Sequence, residues 1–238
     1  MKKGLFALAL GTFTLGMTEF IIEGIITDVA HNMNVSIPEA GHLISIYALG
    51  VCAGAFSLIL MHKYRPKKIL MFLASIITIG AIIASVAPTY WLLLCARFIQ
   101  GLPHGAYFGT ATIVAVKMAK EGKGTKAVAM MCAGMPVANL VGVPIGTFLS
   151  HAFSWRVPFV SCILLGIMTM YMIHRWVPDV AALPNKGMKA QFHFLRSKAP
   201  WLIIAAPSWA MAAFSAGSVI SLLCFRWKAD SALPASHC

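Results

Sequence analysis

Residues 97–109 read RFIQGLPHGAYFG, and they lie inside an apolar run of about 91–116. An arginine, a glutamine and a histidine on a helix long enough to cross a bilayer are costly there. Such residues mark function or a tightly partnered interior. Arg97 and His104 are seven apart and share a helix face. The glycines Gly101, Gly105 and Gly109 continue a four-residue spacing from Arg97, which lets another helix backbone approach closely.

The rest of the chain has the same character. Of its 238 residues, 59% are hydrophobic and 11% charged, and mean hydropathy is +0.81. Soluble domains carry roughly 25% charged residues. Apolar segments recur at about 4–30, 41–61, 69–88, 91–116, 125–150, 155–176 and 200–224. These are continuous runs without the alternation of a membrane β-barrel, so the fold class is all-α and membrane-integral. Residues 1–30 start with Lys2 and Lys3 but run longer than a signal peptide and offer no small-residue cleavage site. They read as a retained first helix.

The net charge of +12 does not point to nucleic acid. The basic residues sit in short clusters between apolar runs, with no interleaved aromatic motif. One set of connections holds Lys2, Lys3, Lys63, Arg65, Lys67, Lys68, Lys117, Lys120, Lys123, Lys126, Arg175, Lys186, Lys189, Arg196 and Lys198. The alternate set holds only Arg156. The positive-inside rule places the N-terminus and the linker 177–199 in the cytoplasm, in a cell membrane such as a bacterial inner membrane. Of the six cysteines, Cys52, Cys95, Cys132 and Cys162 fall inside apolar runs without CxxC spacing. They read as buried, unpaired thiols. No metal site or cofactor is expected.

The first segment carries Glu19 and Glu23 one turn apart, with Asp28 near its outer end. At about 1.5 Å per residue, Glu23 and Arg97 each lie roughly 10 Å below the outer end of their helices. The two can therefore pair across a polar cavity, as a coupling element or as a simple structural pair. A proton-coupling carboxylate has to load and release near neutral pH, which burial away from cations favours. Glu19, one turn deeper, suits that better than Glu23. His104 can relay protons or hydrogen-bond a backbone carbonyl. The fifth segment repeats the small-residue spacing at Gly134, Ala138, Gly142 and Gly146, as Gly50 and Gly54 do in the second. Pro136 and Pro144 predict kinks. Met130, Met131 and Met135 read as lipid-facing or core filler.

RFIQGLPHGAYFG at 97–109, ANLVGVPIGTFL at 138–149 and TEFIIEGIITDVA at 18–30 together resemble major facilitator drug and sugar efflux proteins, closest to arabinose efflux permease-like members. The resemblance covers about residues 5–177. Arg97, Gln100, Gly101 and Gly105 are similar to that family's proton-coupling motif. Gly142, Pro144 and Gly146, with Ala138 and Asn139 before them, are similar to its antiporter motif. The loop HKYRPKK at 62–68 keeps the basic cluster (Lys63, Arg65, Lys67, Lys68) of the family's cytoplasmic gating loop. His62 stands where an aspartate is usual. The resemblance implies two six-helix halves built of inverted repeats, with substrate held between them near the midplane.

The expected organisation is a six-helix bundle over 1–176, a cytoplasmic linker over 177–199 and a partial seventh helix over 200–224. The stretch FRWKADSALPASHC at 225–238 reads as an out-of-frame tail. In a shifted frame, the genetic code permits a family-like seventh helix from Pro207 through Cys224. The expected function is proton-coupled export of a small solute, a sugar or drug, with the lipid bilayer and protons as the other partners. The alternatives are an inactive fragment or a half-size transporter acting as a dimer. No GxSxG, HExxH or paired-Asp motif points to an intramembrane enzyme.

Overall fold

A computed structural model describes residues 2–57, 61 and 63–180. His62, the seventh apolar segment, the tail at 225–238 and the linker beyond 180 lie outside the described residues. The chain divides into two compact units, Met1–Pro184 and Asn185–Cys238, and the elements below belong to the first. No β-strand occurs among the described residues.

Helix α1 spans Lys2–Met33. Asn34, at φ 52°, ends it in the left-handed region while the Val35 N–H returns to the Ala30 carbonyl at 3.1 Å. A short helix α2, Ile37–Ala40, opens on a capping box in which Ser36 and Glu39 satisfy each other's backbone N–H groups. Helix α3, His42–Ala55, continues the second span. Helix α4, Pro66–Val86, starts on a proline, where the missing N–H costs nothing.

The fourth span is two helices, α5 (Tyr90–Gly101) and α6 (Pro103–Met118). Leu102 between them keeps helical backbone angles. Pro103 removes one intrahelical donor and crowds the preceding turn, so the regular ladder is interrupted at that point. The fifth span is segmented too. It runs as α7 (Gly124–Cys132), α8 (Gly134–Val137), a π-helical turn at Ala138–Gly142, and α9 (Val143–Ala152). Pro144 deprives the carbonyl one turn earlier of its donor, and the widened turn absorbs the mismatch. The expected kinks at Pro136 and Pro144 thus take the form of breaks within a continuing helix. Helix α10, Val157–Trp176, is the sixth span.

Helix α1 is the axis of this unit and the most buried of the spans. One apolar cluster, including Leu8, Leu70, Tyr107, Val114 and Ile173, surrounds its basic end. A second, including Ile25, Val29, Leu43, Leu93 and Phe159, surrounds the opposite end. Among the described residues, five spans are long and apolar enough to cross a membrane by length and composition; the fourth, broken at Pro103 into two shorter helices, is not one of the five. Large apolar side chains are exposed around the outside, with Leu140 at 78% and Trp91 and Phe153 at 76%. Water would penalise such a surface, whereas hydrocarbon accepts it.

Packing is closest where glycines meet. A Cβ on Gly54 would fall on the Leu102 carbonyl, and one on Gly101 on the Tyr47 carbonyl, so α3 and the fourth span touch backbone to backbone. Gly134 lies equally close to the Ala9 carbonyl of α1. The cysteines need a correction. Of the four described cysteines only Cys162 is buried, Cys132 is partly so, and Cys52 and Cys95 are exposed on the outside of the unit, all as free thiols. In a bilayer an outward apolar face and an inward one look alike in sequence, and the thiols fall on both.

Candidate functional site

Helix α5 carries Arg97 into the level between the two apolar clusters, where it is completely buried. The guanidinium has five N–H donors. Nε donates to the Leu43 carbonyl of α3 at 3.3 Å. Nη1 donates to the Thr18 carbonyl of α1 and, at 3.0 Å, to Gln100 Oε1, while Nη2 donates to the Glu19 carbonyl at 3.3 Å. The cation also lies 4.4 Å above the Tyr47 ring. Arg97 therefore fastens α1, α3 and α5 together through backbone dipoles and a π face.

The expected Glu23–Arg97 pair does not form. No ion pair among the described residues joins Arg97 to either carboxylate. Glu23 is exposed, whereas the Arg97 donors are taken by the carbonyls one turn away on the same helix. Arg97 meets α1 at the level of Thr18 and Glu19, about a turn deeper than the expected level of Glu23, which is exposed.

Glu19 comes closer to the site by a different partner. Its side chain is 29% exposed, yet Oε2 is enclosed and has no hydrogen-bond partner among the described residues. That oxygen lies 3.8 Å from Nδ1 of His104, which is 14% exposed and sits on the first turn of α6, just past the Pro103 break. The Tyr47 hydroxyl is 3.1 Å from the same Nδ1, and His104 packs on Phe108 with ring centroids 5.3 Å apart. The Nδ1 atom thus bonds a phenol, and the backbone-carbonyl partner considered for His104 is not the one it takes. Tyr47 links the two halves of the site: its hydroxyl meets His104 and its ring face meets Arg97. Gln100, fully buried, leaves Nε2 without a protein partner against α4, where Gly80 makes room for its side chain.

The other expected positions fall around this centre. Gly101 sits at the α3 crossing, but among the described residues Gly105 has only Ala55 near it, at 3.8 Å. Gly134, Ala138, Gly142 and Gly146 are buried against α1, near Ala9, Gly16, Met17 and Ile21 respectively. Asn139 and Pro144 are exposed on the opposite side of that span. In the basic loop, Arg65 pairs with Asp179 and Lys67 Nζ donates to the His174 carbonyl at 2.7 Å. Lys63 and Lys68 are exposed. The loop region therefore ties the start of α4 to the end of α10.

Two features escaped sequence reasoning. Tyr47 carries no signal of charge, although its spacing to Gly50 and Gly54 puts it on the small-residue face of α3. At the end opposite the basic loops, Asp28 Oδ2 accepts from Ser150 Oγ at 2.6 Å and lies 3.1 Å from His151 Nδ1, joining α1 to α9. Ser150 and His151 had no marker beyond their position.

A multi-span helical unit with small-residue crossings, two proline-segmented spans and a polar centre is the architecture of a membrane transporter half. The comparisons give the family. The Major Facilitator Superfamily model matches residues 8–231, so the chain belongs to that superfamily, a family of transporters rather than enzymes. It is 49% identical over 207 residues to the "Putative transporter AraJ" of Escherichia coli (strain K12), covering 87% of this chain and 52% of that protein. It is 40% identical over 193 residues to the "Inner membrane transport protein YdhP" of the same organism, covering 80% and 49%. A "Probable sugar efflux transporter" of Helicobacter acinonychis is 25% identical over 183 residues, covering 76% and 46%. Among solved structures, the proton:xylose symporter XylE bound to 6-bromo-6-deoxy-D-glucose aligns with a TM-score of 0.66 at 15% identity, over 74% of this chain and 44% of that one. This is a likeness of fold. The chain spans about half the length of the curated relatives it matches.

Proposed function

We propose that residues 1–176 act as the first six-helix half of a proton-coupled exporter of a small polar solute, with a sugar as the first candidate. The membrane is a bacterial inner membrane, and the basic end faces the cytoplasm. Glu19 carries this reading. Its carboxylate oxygen is enclosed, without a hydrogen-bond partner, and 3.8 Å from His104 Nδ1. An enclosed carboxylate without a hydrogen-bond partner is the kind of group whose protonation a transporter can exploit. His104 and the Tyr47 hydroxyl are the adjacent proton-exchanging groups, and Glu23, exposed one turn away, contributes to the solute-facing wall.

Arg97 acts on this site through the backbone it holds. Through the Thr18 and Glu19 carbonyls it holds the segment of α1 that bears Glu19, so the carboxylate's position follows the packing of α1 against α3 and α5. Gln100 orients the guanidinium. The Arg65–Asp179 and Lys67–His174 contacts brace the basic end, as expected of a gating loop. The solute assignment rests on the names of relatives, one of which is a probable sugar efflux transporter.

The test joins residues 1–180 to the second half of the Escherichia coli AraJ relative and assays inside-out vesicles with an acidic lumen. Labelled arabinose should accumulate inside, and a protonophore should stop it. Accumulation that ignores the protonophore, or that requires ATP, would overturn the coupling.

A further inference from the structure

The basic end holds a feature the transport reading does not use. A cavity of about 360 Å³ opens between the start of α1 and the turn joining α6 to α7, walled by Lys2, Lys120, Lys123 and Lys126 over Leu5 and Met130. A second cavity of about 470 Å³ continues it along α1, sharing Lys2, Leu5 and Met130 and adding Lys3, Phe6, Ala9 and Trp176. Among the described residues, no carboxylate lines either one. Glu121, the acidic residue of the turn, is not among the lining residues. None of the four lysines belongs to an ion pair among the described residues.

We propose that this groove is a binding site for one anionic phospholipid, with its phosphate among Lys2, Lys120, Lys123 and Lys126 and an acyl chain along Phe6, Ala9 and Trp176. The charge and the shape agree on that occupant. Lys2, Lys120, Lys123 and Lys126 line one cavity, and basic pockets between transmembrane helices are suited to such headgroups. The groove then turns apolar and descends along α1. From Lys2 to Ala9 the helix rises about 10 Å, which takes the floor from the headgroup layer into hydrocarbon. Helix α7 adds to the attraction, because Lys123 at its N-cap gives no side-chain cap and the first N–H groups face the same turn. A free anion would use the lysines but not the apolar floor.

The test is native mass spectrometry of the 238-residue chain in detergent, titrated with dioleoylphosphatidylglycerol or dioleoylphosphatidylcholine. The chain should retain phosphatidylglycerol about tenfold better or more. Replacing the groove lysines (K120Q/K123Q/K126Q) should abolish that preference. Removing the same charge elsewhere at this end (K63Q/K68Q/R175Q) should leave it within about twofold. Ala9→Trp, which fills the floor, should weaken phosphatidylglycerol retention while all lysines remain. Equal losses in the two triple variants would mean a diffuse field of charge, and displacement of the lipid by millimolar inorganic phosphate would mean a free-anion site. Either result overturns the proposal, as does full retention in Ala9→Trp.

Discussion

Arg97 directs four of its five N–H donors to Leu43, Thr18, Glu19 and Gln100 and rests its plane on Tyr47. A lysine keeps the charge but has neither the planar fork nor the reach to three elements. Arg97→Lys should therefore lose about 2–4 kcal/mol, read as a fall in the thermal unfolding midpoint of the detergent-solubilised chain. A midpoint unchanged from wild type would contradict this account of the site. Tyr47→Phe separates the two jobs of that side chain. It keeps the ring under Arg97 and removes the hydroxyl beside His104, so stability should change by no more than about 1 kcal/mol while proton-driven transport by the AraJ chimera slows. The arginine, glutamine, histidine and both glutamates were legible in the sequence because charge inside an apolar run is conspicuous. Which glutamate faces the centre was not. Glu19 and Glu23 are one turn apart, and only the rotation set by α1 packing against α3 and the fifth span separates the enclosed oxygen from the exposed one.

Helix crossings make a sharper test of the glycine pattern than the spacing alone. Gly54 and Gly101 face backbone atoms that cannot yield, whereas Gly105 has ordinary contact distance to Ala55. Gly54→Ala and Gly101→Ala should each cost about 1–3 kcal/mol through overpacking, and Gly105→Ala should be neutral or slightly stabilising. Unfolding midpoints of the three variants would show the order, and equal costs at Gly101 and Gly105 would contradict it. In the fifth span the same logic separates Gly134, against the Ala9 carbonyl, from Gly142 and Gly146, against the flexible ends of Met17 and Ile21. The repeated four-residue spacing revealed that small residues cluster, and the apolar runs revealed five of the spans nearly to their ends. Kinks in the fifth span were legible from Pro136 and Pro144, whereas the break of the fourth span at Pro103 was not read from the sequence. The π-helical turn at Ala138–Gly142 was not foreseeable, since a proline kink can be relieved in several ways and packing against α1 selects one.

For the unit as a whole, orientation and coupling are the claims with most reach. Lys and Arg gather at one end, with Arg156 alone at the other, where Nη2 donates to the Ala87 carbonyl at 2.9 Å. A cysteine at Lys63 should react with an impermeant maleimide in inside-out vesicles, and one at Thr89 in right-side-out cells. The reverse pattern would invert the topology. The family and its six-span half were legible because the motifs fall in order on successive apolar runs. The Asp28–Ser150–His151 contact was not, because it joins residues 122 and 123 positions apart that carry no shared signal. The central claim is that Glu19 carries the coupled proton. Its most direct measurement is Glu19→Gln in the AraJ chimera, comparing arabinose accumulation driven by a pH gradient with arabinose exchange at equilibrium, which moves no net proton. The account predicts that accumulation is lost while exchange continues within a few-fold of wild type. Accumulation that survives in Glu19→Gln would contradict it.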